Sequence, residues 1–431
     1  MNRSSLWTRT APAIALLVLG ASCVAWCDPV KLIFQYRGGG ARTETAKAWI
    51  AEFEKLHPEI QVEFVPSPDG YVDKTLAAWA AGSGPDVTEL WGDFAQDYAR
   101  NGALLDLRPF VKRDFTQADI QDFWPTAWKA SFLAYGDRAG IQFRIPRYMI
   151  TTVFYYNQDA FNNAGLTDPY TLDQAGQWDY NALRAAARKL TISDGAKTSQ
   201  YGFTTNTKDY RRLASWVRAY GGDWFSPEDP HDFIGDQRQA ITAMSMLQDM
   251  IWQDHSTTPK FETNMFSNGQ VGIMEEGNHA VMAKYTPAIG NKFAWNIAAR
   301  PVGPFGRQSY SGDDGFAIAA SSKHPNEAWA FVKFLTSTRG QEINAEHEGL
   351  APVRRSAMPF YQKLNTDLHL DVHMTSMLDA SLPPSDFITG DVAQIAGQLN
   401  GTLQAVLEKN QKPYAQAIAE VAPALEGLAK K

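Results

Sequence analysis

The sequence predicts an α/β chain of two lobes, each an open, mostly parallel sheet flanked by helices, followed by a helical tail. Three observations carry this expectation. β-rich apolar runs alternate with segments of helical spacing, and the connections between them are short. At 431 residues, the chain also exceeds what one ordinary core holds together.

The elements follow in order. KLIFQY (31–36) is a β-rich apolar run that ends at three glycines. Trp49, Ile50, Phe53 and Leu56 then recur at helical spacing, with Thr43 or Thr45 as cap and His57-Pro58 as stop. IQVEFVP (60–66) alternates apolar and polar residues, as a half-buried strand does. Val72, Leu76 and Trp79 mark a second helix, and DVTELW (86–91) a third strand. Strand–helix–strand at these lengths implies parallel pairing.

A second unit starts near 149. TTVFYYN (151–157) and YGFTT (201–205) read as strands, and Asp179 is placed to cap the helix between them. Helices follow over Tyr210–Tyr220 and about 238–252. GFAIAA (315–320) is a further strand before a helix from Asn326 to Leu335. From about 386 onward the pattern is helical and Ala-rich, with Pro413 and Pro423 as breaks.

Composition excludes several classes. Hydrophobic residues make up 44% and charged ones 20%, unlike a disordered or membrane-embedded chain. A formal charge of −7 without any basic run offers no field for nucleic acid. The first 27 residues read as an export signal: Arg3 and Arg9 without acidic residues, then AIALLVLG, then small residues. Removing them would take the charge from −7 to −9 and place the chain in the periplasm. Cys23 and Cys27 are the only cysteines; GASC is a poor lipid-attachment signal, because Gly20 stands where Leu is usually wanted.

Ligand crevices of open α/β sheets lie beyond the carboxyl ends of the strands. The first strand delivers Tyr36, Arg37 and Gly38–Gly40 there, the second Pro66–Tyr71, and the third Trp91, Gly92 and Asp93. In the second unit, FSNGQVGIMEEGNHAVM (266–282) delivers Glu275–Asn278 where an apolar run stops. A solvated turn capped by Asn278 is the plain alternative for that segment. Gly221-Gly222-Asp223-Trp224 closes another helix. Aromatic rings, carboxylates, an arginine and bare backbone suit a polyhydroxylated ligand, whose C–H faces stack and whose hydroxyls need fixed partners. Of the 13 Trp, those on helical apolar faces (Trp49, Trp79 and Trp216) belong to the core, whereas Trp91 and Trp224 are expected to be exposed.

Several segments together resemble the extracellular solute-binding proteins that feed sugar ABC importers, the group of the maltose-binding and glycerol-phosphate-binding proteins. They are AEFEKLHPEIQVEFVP, LAAWAAGSGPDVTELW, IPRYMITTVFYYNQDAFNNAGL, FSNGQVGIMEEGN and SSKHPNEAWAFVKFLTSTRGQ, in order between about 30 and 357. The resemblance implies the two-lobed periplasmic binding protein fold of type II. Lobe one would be 28–148 plus 314–357, and lobe two 149–313 plus 358–431. It further implies a sugar or oligosaccharide held by hinge closure, a membrane permease as partner, a monomer, and no cofactor. The cleft would be lined at positions equivalent to Tyr36, Tyr71, Asp93, the 146–148 corner with Arg147 and Tyr148, Trp224, Glu276–Asn278, Gly312, Asp313 and Arg354. Arg37, Arg42 and Arg147 depart from the common pattern and make an acidic or phosphorylated sugar, or a glycerol phosphate-type ligand, the alternative.

Other chemistries find less support. A glycoside hydrolase needs two carboxylates flanking one bond, and Glu275 and Glu276, adjacent on a strand, face opposite ways. GGGART lacks the third glycine of a dinucleotide turn, and no GxxxxGK[ST] or G-x-S-x-G occurs. His369 and His373 lack the companions of a metal site and read as surface residues.

Overall fold

The computed structural model describes residues 28–67, 72–195, 197–382 and 390–430; the side chains at 72–73, 91–94 and 313 fall outside that description. The expected leader 1–27 and Tyr71 therefore lie outside the described residues. No described helix is long and apolar enough to cross a membrane.

The strands in chain order are β1 (Val30–Arg37), β2 (Ile60–Ser67), β3 (Val87–Trp91), β4 (Ile145–Ile150), β5 (Thr152–Asn157) and β6 (Ile192–Ser193). They continue with β7 (Thr198–Thr204), β8 (Val271–Gly277), β9 (Trp295–Ala298), β10 (Ser309–Tyr310), β11 (Gly312–Ile318) and β12 (Ala380–Ser381). Two five-stranded sheets form, β2-β1-β3-β11-β4 and β6-β7-β8-β5-β9, and β10 pairs with β12 in a small parallel ladder.

β1 pairs in parallel with both β2 and β3, as the short strand–helix–strand spacing implies. The sheets are nevertheless mixed. β11 runs antiparallel to β3 and β4, and β5 antiparallel to β8 and β9. These reversals arise where the chain passes between sheets, at Thr151 and between Ala298 and Gly312, so strands from distant sequence are inserted next to local ones.

Local chemistry explains most element bounds. The helix Gly40–Leu56 buries Trp49 and Phe53 and stops at His57. Its cap is Gly39, at φ 101, a conformation glycine adopts without a Cβ clash; Thr43 instead accepts a hydrogen bond from the Gly39 N–H. Asp179 caps the helix Tyr180–Leu190 by accepting from Ala182 N–H at 2.7 Å. Pro423 does not break the tail: the helix Tyr414–Ala429 runs through it.

One apolar core joins the first sheet, the helices Pro325–Leu335 and Thr338–Glu348, and part of β5 and β8. Another packs the second sheet against the tail helices Val392–Leu403 and Tyr414–Ala429. Trp49, Trp79 and Trp216 are buried as expected. Trp224 is not exposed: it sits in the second core, its indole N–H donating to Tyr210 O at 2.6 Å. His373 is likewise no surface residue. The helix Val372–Leu378 buries it edge-on to Tyr361, and burial pushes its imidazole down to about 3.

Candidate functional site

At the carboxyl ends of β1 and β3, on β4 and on β11, polar side chains meet in a closed network. Arg147, fully buried on β4, donates from Nη1 to Glu89 on β3 at 3.1 Å and to Asp314 on β11 at 3.3 Å. Its Nη2 donates to Glu348 at 2.7 Å, to Asn344 Oδ1 at 3.1 Å and to the Tyr36 hydroxyl. Tyr36 in turn donates to Glu348. Arg37 grips Glu89 with two nitrogens, at 3.0 and 2.9 Å, and reaches Asp314 at 3.1 Å. Arg42, on the first helix, donates to Glu89 at 3.3 Å.

Three arginines thus face three carboxylates, a geometry in which each buried charge has a partner. Burial alone would raise Glu89, but Arg147 and Arg37 hold it well below the usual carboxylate range. Asp314 goes the other way: burial and the adjacent Glu89 charge raise it well above that range. Arg37 and Arg42 each keep part of their side chains in contact with solvent, and they form the accessible rim of this network. Tyr148 lies beside it, with its ring 4.9 Å from the Arg147 guanidinium and its phenol raised chiefly by burial.

Across the chain crossing, β8 carries the second polar group. The strand runs three residues beyond the expected Val271–Met274, so Glu275, Glu276 and Gly277 belong to it and pair with Phe154, Val153 and Thr152 of β5. The segment is buried throughout, not a solvated turn. Alternation sends the two carboxylates to different partners. Glu275 accepts from Trp216 Nε1 at 2.9 Å and Thr205 Oγ1 at 3.0 Å, and pairs with Arg300. Glu276 pairs with Arg212, and its carboxylate also accepts from the Gly277 N–H at 2.7 Å. Burial would raise Glu276; Arg212 overcomes this and holds it below its ordinary value.

Asn278 is not a helix cap either. Its Oδ1 accepts from Thr151 N–H at 3.1 Å, while its own N–H donates to Thr151 O at 2.8 Å. It ties the end of β8 to the crossing residue between the two sheets. His279 follows, folded back over Gly277: a Cβ there would stand 2.4 Å from its Nδ1, so this packing requires glycine. Burial pushes His279 down to about 4, with Arg212, Lys284 and Arg42 of the first unit adding to the shift against the pull of Glu276.

Arg37, Tyr148 and Gly312 lie on strands of the first sheet, Glu276 lies on β8 of the second, and Asn278 follows it directly. Asp313 is paired with Met149 through the backbone, and Trp91 with Asp314; Asp93 opens the helix Gly92–Arg100 that leaves β3. Their side chains are not described. Tyr36 and Arg147 are wholly enclosed by protein partners, which leaves them no surface for a ligand. Arg354 is spent inside the first unit, on Asp122 at 3.1 Å, Asp119 O at 3.2 Å and the Phe123 ring at 4.0 Å. Trp224, being core, drops out.

Sequence reasoning missed Glu89, Asp314, Glu348, Arg212 and His279. A signal for the first two existed: a carboxylate inside the apolar strands VTELW and GDDGFAI needs an internal cation. None existed for Arg212 or Glu348, which reach their partners over 64 and 201 residues of sequence.

The family model described as bacterial extracellular solute-binding protein matches residues 39–342. A Brucella abortus protein named as a binding protein is 25% identical over 329 residues, covering 73% of this chain and 74% of that one. The diacetylchitobiose binding protein of Streptomyces coelicolor is 22% identical over 326 residues, 73% of this chain and 71% of its own. Among solved structures, the sugar-binding protein MalE from Xanthomonas citri superposes with a TM-score of 0.78 at 19% identity, over 93% of this chain and 98% of that chain.

Proposed function

We propose that this chain, which belongs to the bacterial extracellular solute-binding protein family, captures a neutral carbohydrate between its two units and passes it unaltered to an ABC-type membrane permease. The observation that carries the choice of a neutral ligand is the pairing of Arg37, Arg42 and Arg147 with Glu89, Asp314 and Glu348. An acidic or phosphorylated sugar would need those guanidinium groups uncommitted, and here each is already engaged by Glu89, with Glu348 also on Arg147.

In this reading the units divide as 28–148 plus 314–357 and 149–313 plus 358–431. The ligand face is formed by Arg37, Tyr148, Glu276 and Gly312, together with Tyr71, Trp91, Asp93 and Asp313. Tyr36, Arg147 and Asn278 hold that face in place from behind. Thr151, the single residue between β4 and β5, acts as a hinge, and closure on a bridging sugar is favoured because only the closed form contacts it from both sides. No bond of the ligand is broken: Glu275 and Glu276 are locked on different arginines, and Arg212 holds Glu276 below its ordinary value, without the proton a general acid must donate. The leader directs the chain to the periplasm, with lipid attachment at Cys23 the weaker alternative.

A thermal-shift panel tests this. Neutral sugars held by the native state raise stability by RT ln(1 + [L]/Kd), about 2.7 kcal/mol at a hundredfold excess over Kd, whereas sugar acids and glycerol phosphate leave the melting temperature unchanged. The sugar is recovered intact by chromatography. Stabilisation by the anions alone, or recovery of a cleaved sugar, would overturn the reading.

A further inference from the structure

Past Glu276 the two units meet in direct contact. In the division proposed above, the π-helix Val281–Tyr285 belongs to the second unit and the helix Thr338–Glu348 to the first. Gly349 ends the latter at φ 66, its N–H donating to Ala345 O at 2.9 Å. A Cβ there would stand 2.6 Å from Met282 Cβ and 3.4 Å from Ala283 N. That is closer than packed atoms approach, so the segments seat against each other only while residue 349 is glycine.

His279 stands just before this contact. Its ring is folded over Gly277, where an added Cβ would lie 2.4 Å from its Nδ1 and 3.3 Å from Ile150 Cγ2 of β4. That Nδ1 is buried and has no hydrogen-bond partner among the described residues. Glu276 of β8 favours an imidazolium here, but it is already paired with Arg212. Arg212 itself, Lys284 of the π-helix and Arg42 of the first unit oppose one. Arg42 is held in place by Glu89 at 3.3 Å and Glu348 at 3.8 Å, and Glu348 adjoins Gly349. Burial, the largest cause, and these cations push His279 down to about 4, so near pH 7 an uncharged ring lies beside the contact.

We infer that the seating of Met282 and Ala283 on Gly349 is a latch that keeps the two units closed, and that a proton on His279 releases it. The inference rests on the two-unit closure read above, and adds to it a contact made without ligand and a dependence on acid. Opening withdraws Arg42 and lets water reach the imidazole, which moves it back toward its ordinary value of about 6.5. The open form then binds more protons between about pH 6.5 and pH 4, and the closed form is weakened as pH falls through that window.

Small-angle X-ray scattering of the full chain without sugar, near pH 7.5 and near pH 5, tests it. A compact chain of this length has a radius of gyration of about 22 Å, and opening should add about 1 Å. The unsubstituted chain is expected to be compact near pH 7.5 and expanded near pH 5, and His279→Gln to stay compact at both. Gly349→Ala should be expanded at both, and Met282→Gly in the same chain should restore compactness by removing the opposing Cβ. Acid expansion kept by His279→Gln, no expansion of the unsubstituted chain, or a compact Gly349→Ala chain overturns the latch. The carbohydrate reading is tested apart from it: maltose or diacetylchitobiose that stabilises the unsubstituted chain near pH 7.5 keeps that reading even where the latch fails.

Discussion

The arginine–carboxylate network under the first sheet and the one on β8 use the same ions, and differ in how much of the chain they join. Arg147 alone draws together β1, β3, β4, β11 and the helix Thr338–Glu348. On β8 the charges are divided: Glu275 is enclosed with Arg300, and Glu276 is turned toward Arg212, whose side chain solvent still reaches. The first network is scaffold, since it fixes strand ends at the cost of surface. The second leaves Glu276 slightly exposed beside a partly exposed Arg212. Paired charges in a cleft are therefore no guide to ligand charge until each partner has been located.

The largest effect is expected from Arg147→Met. It removes the one cation shared by Glu89, Asp314 and Glu348 and should cost about 3–5 kcal/mol in denaturant unfolding. A cost below about 1 kcal/mol would mean that Arg37 and Arg42 suffice, and the contrast between the two networks would collapse. Glu275→Gln should cost less, about 2–3 kcal/mol, because Arg300 keeps Thr152 Oγ1 at 3.1 Å and Tyr180 Oη at 2.9 Å while losing the Glu275 charge. Equal losses for the two variants would erase the distinction drawn here.

The smallest effect has the opposite sign. Asp314 is raised in the folded state, so between the ordinary Asp value and its folded value the native protein holds more protons than the unfolded chain. Stability contributed by this group is then present at low pH and lost as pH rises. Asp314→Asn, which mimics the protonated acid, should raise the melting temperature by a few degrees near pH 8 and by less near pH 4. A variant less stable at every pH would show that the Asp314 charge is needed.

Much of the fold was legible. The runs 31–36, 60–66 and 86–91 lie within or one residue from β1, β2 and β3, and the helix expected at 238–252 is Arg238–Trp252. Periodicity reports which side of an element is apolar, and that is a local property. The site was less legible. Position at a strand end brought out Arg37, Glu276 and Asn278, but could not separate a ligand contact from a support. Trp224 shows the limit: a tryptophan after two glycines looks like a loop residue, and the second core lies directly over it.

What the sequence determined unaided is the set of elements, the two-sheet division and a list of strand-end polar residues, because backbone propensity and apolar spacing act over a few residues. What only the tertiary structure decided is which arginine meets which carboxylate. Those encounters span tens to hundreds of residues, and they depend on β11 inserting between β3 and β4 and on Asn278 fastening β8 to Thr151. Charge is conserved along a chain, whereas its neutralisation is a property of folded space.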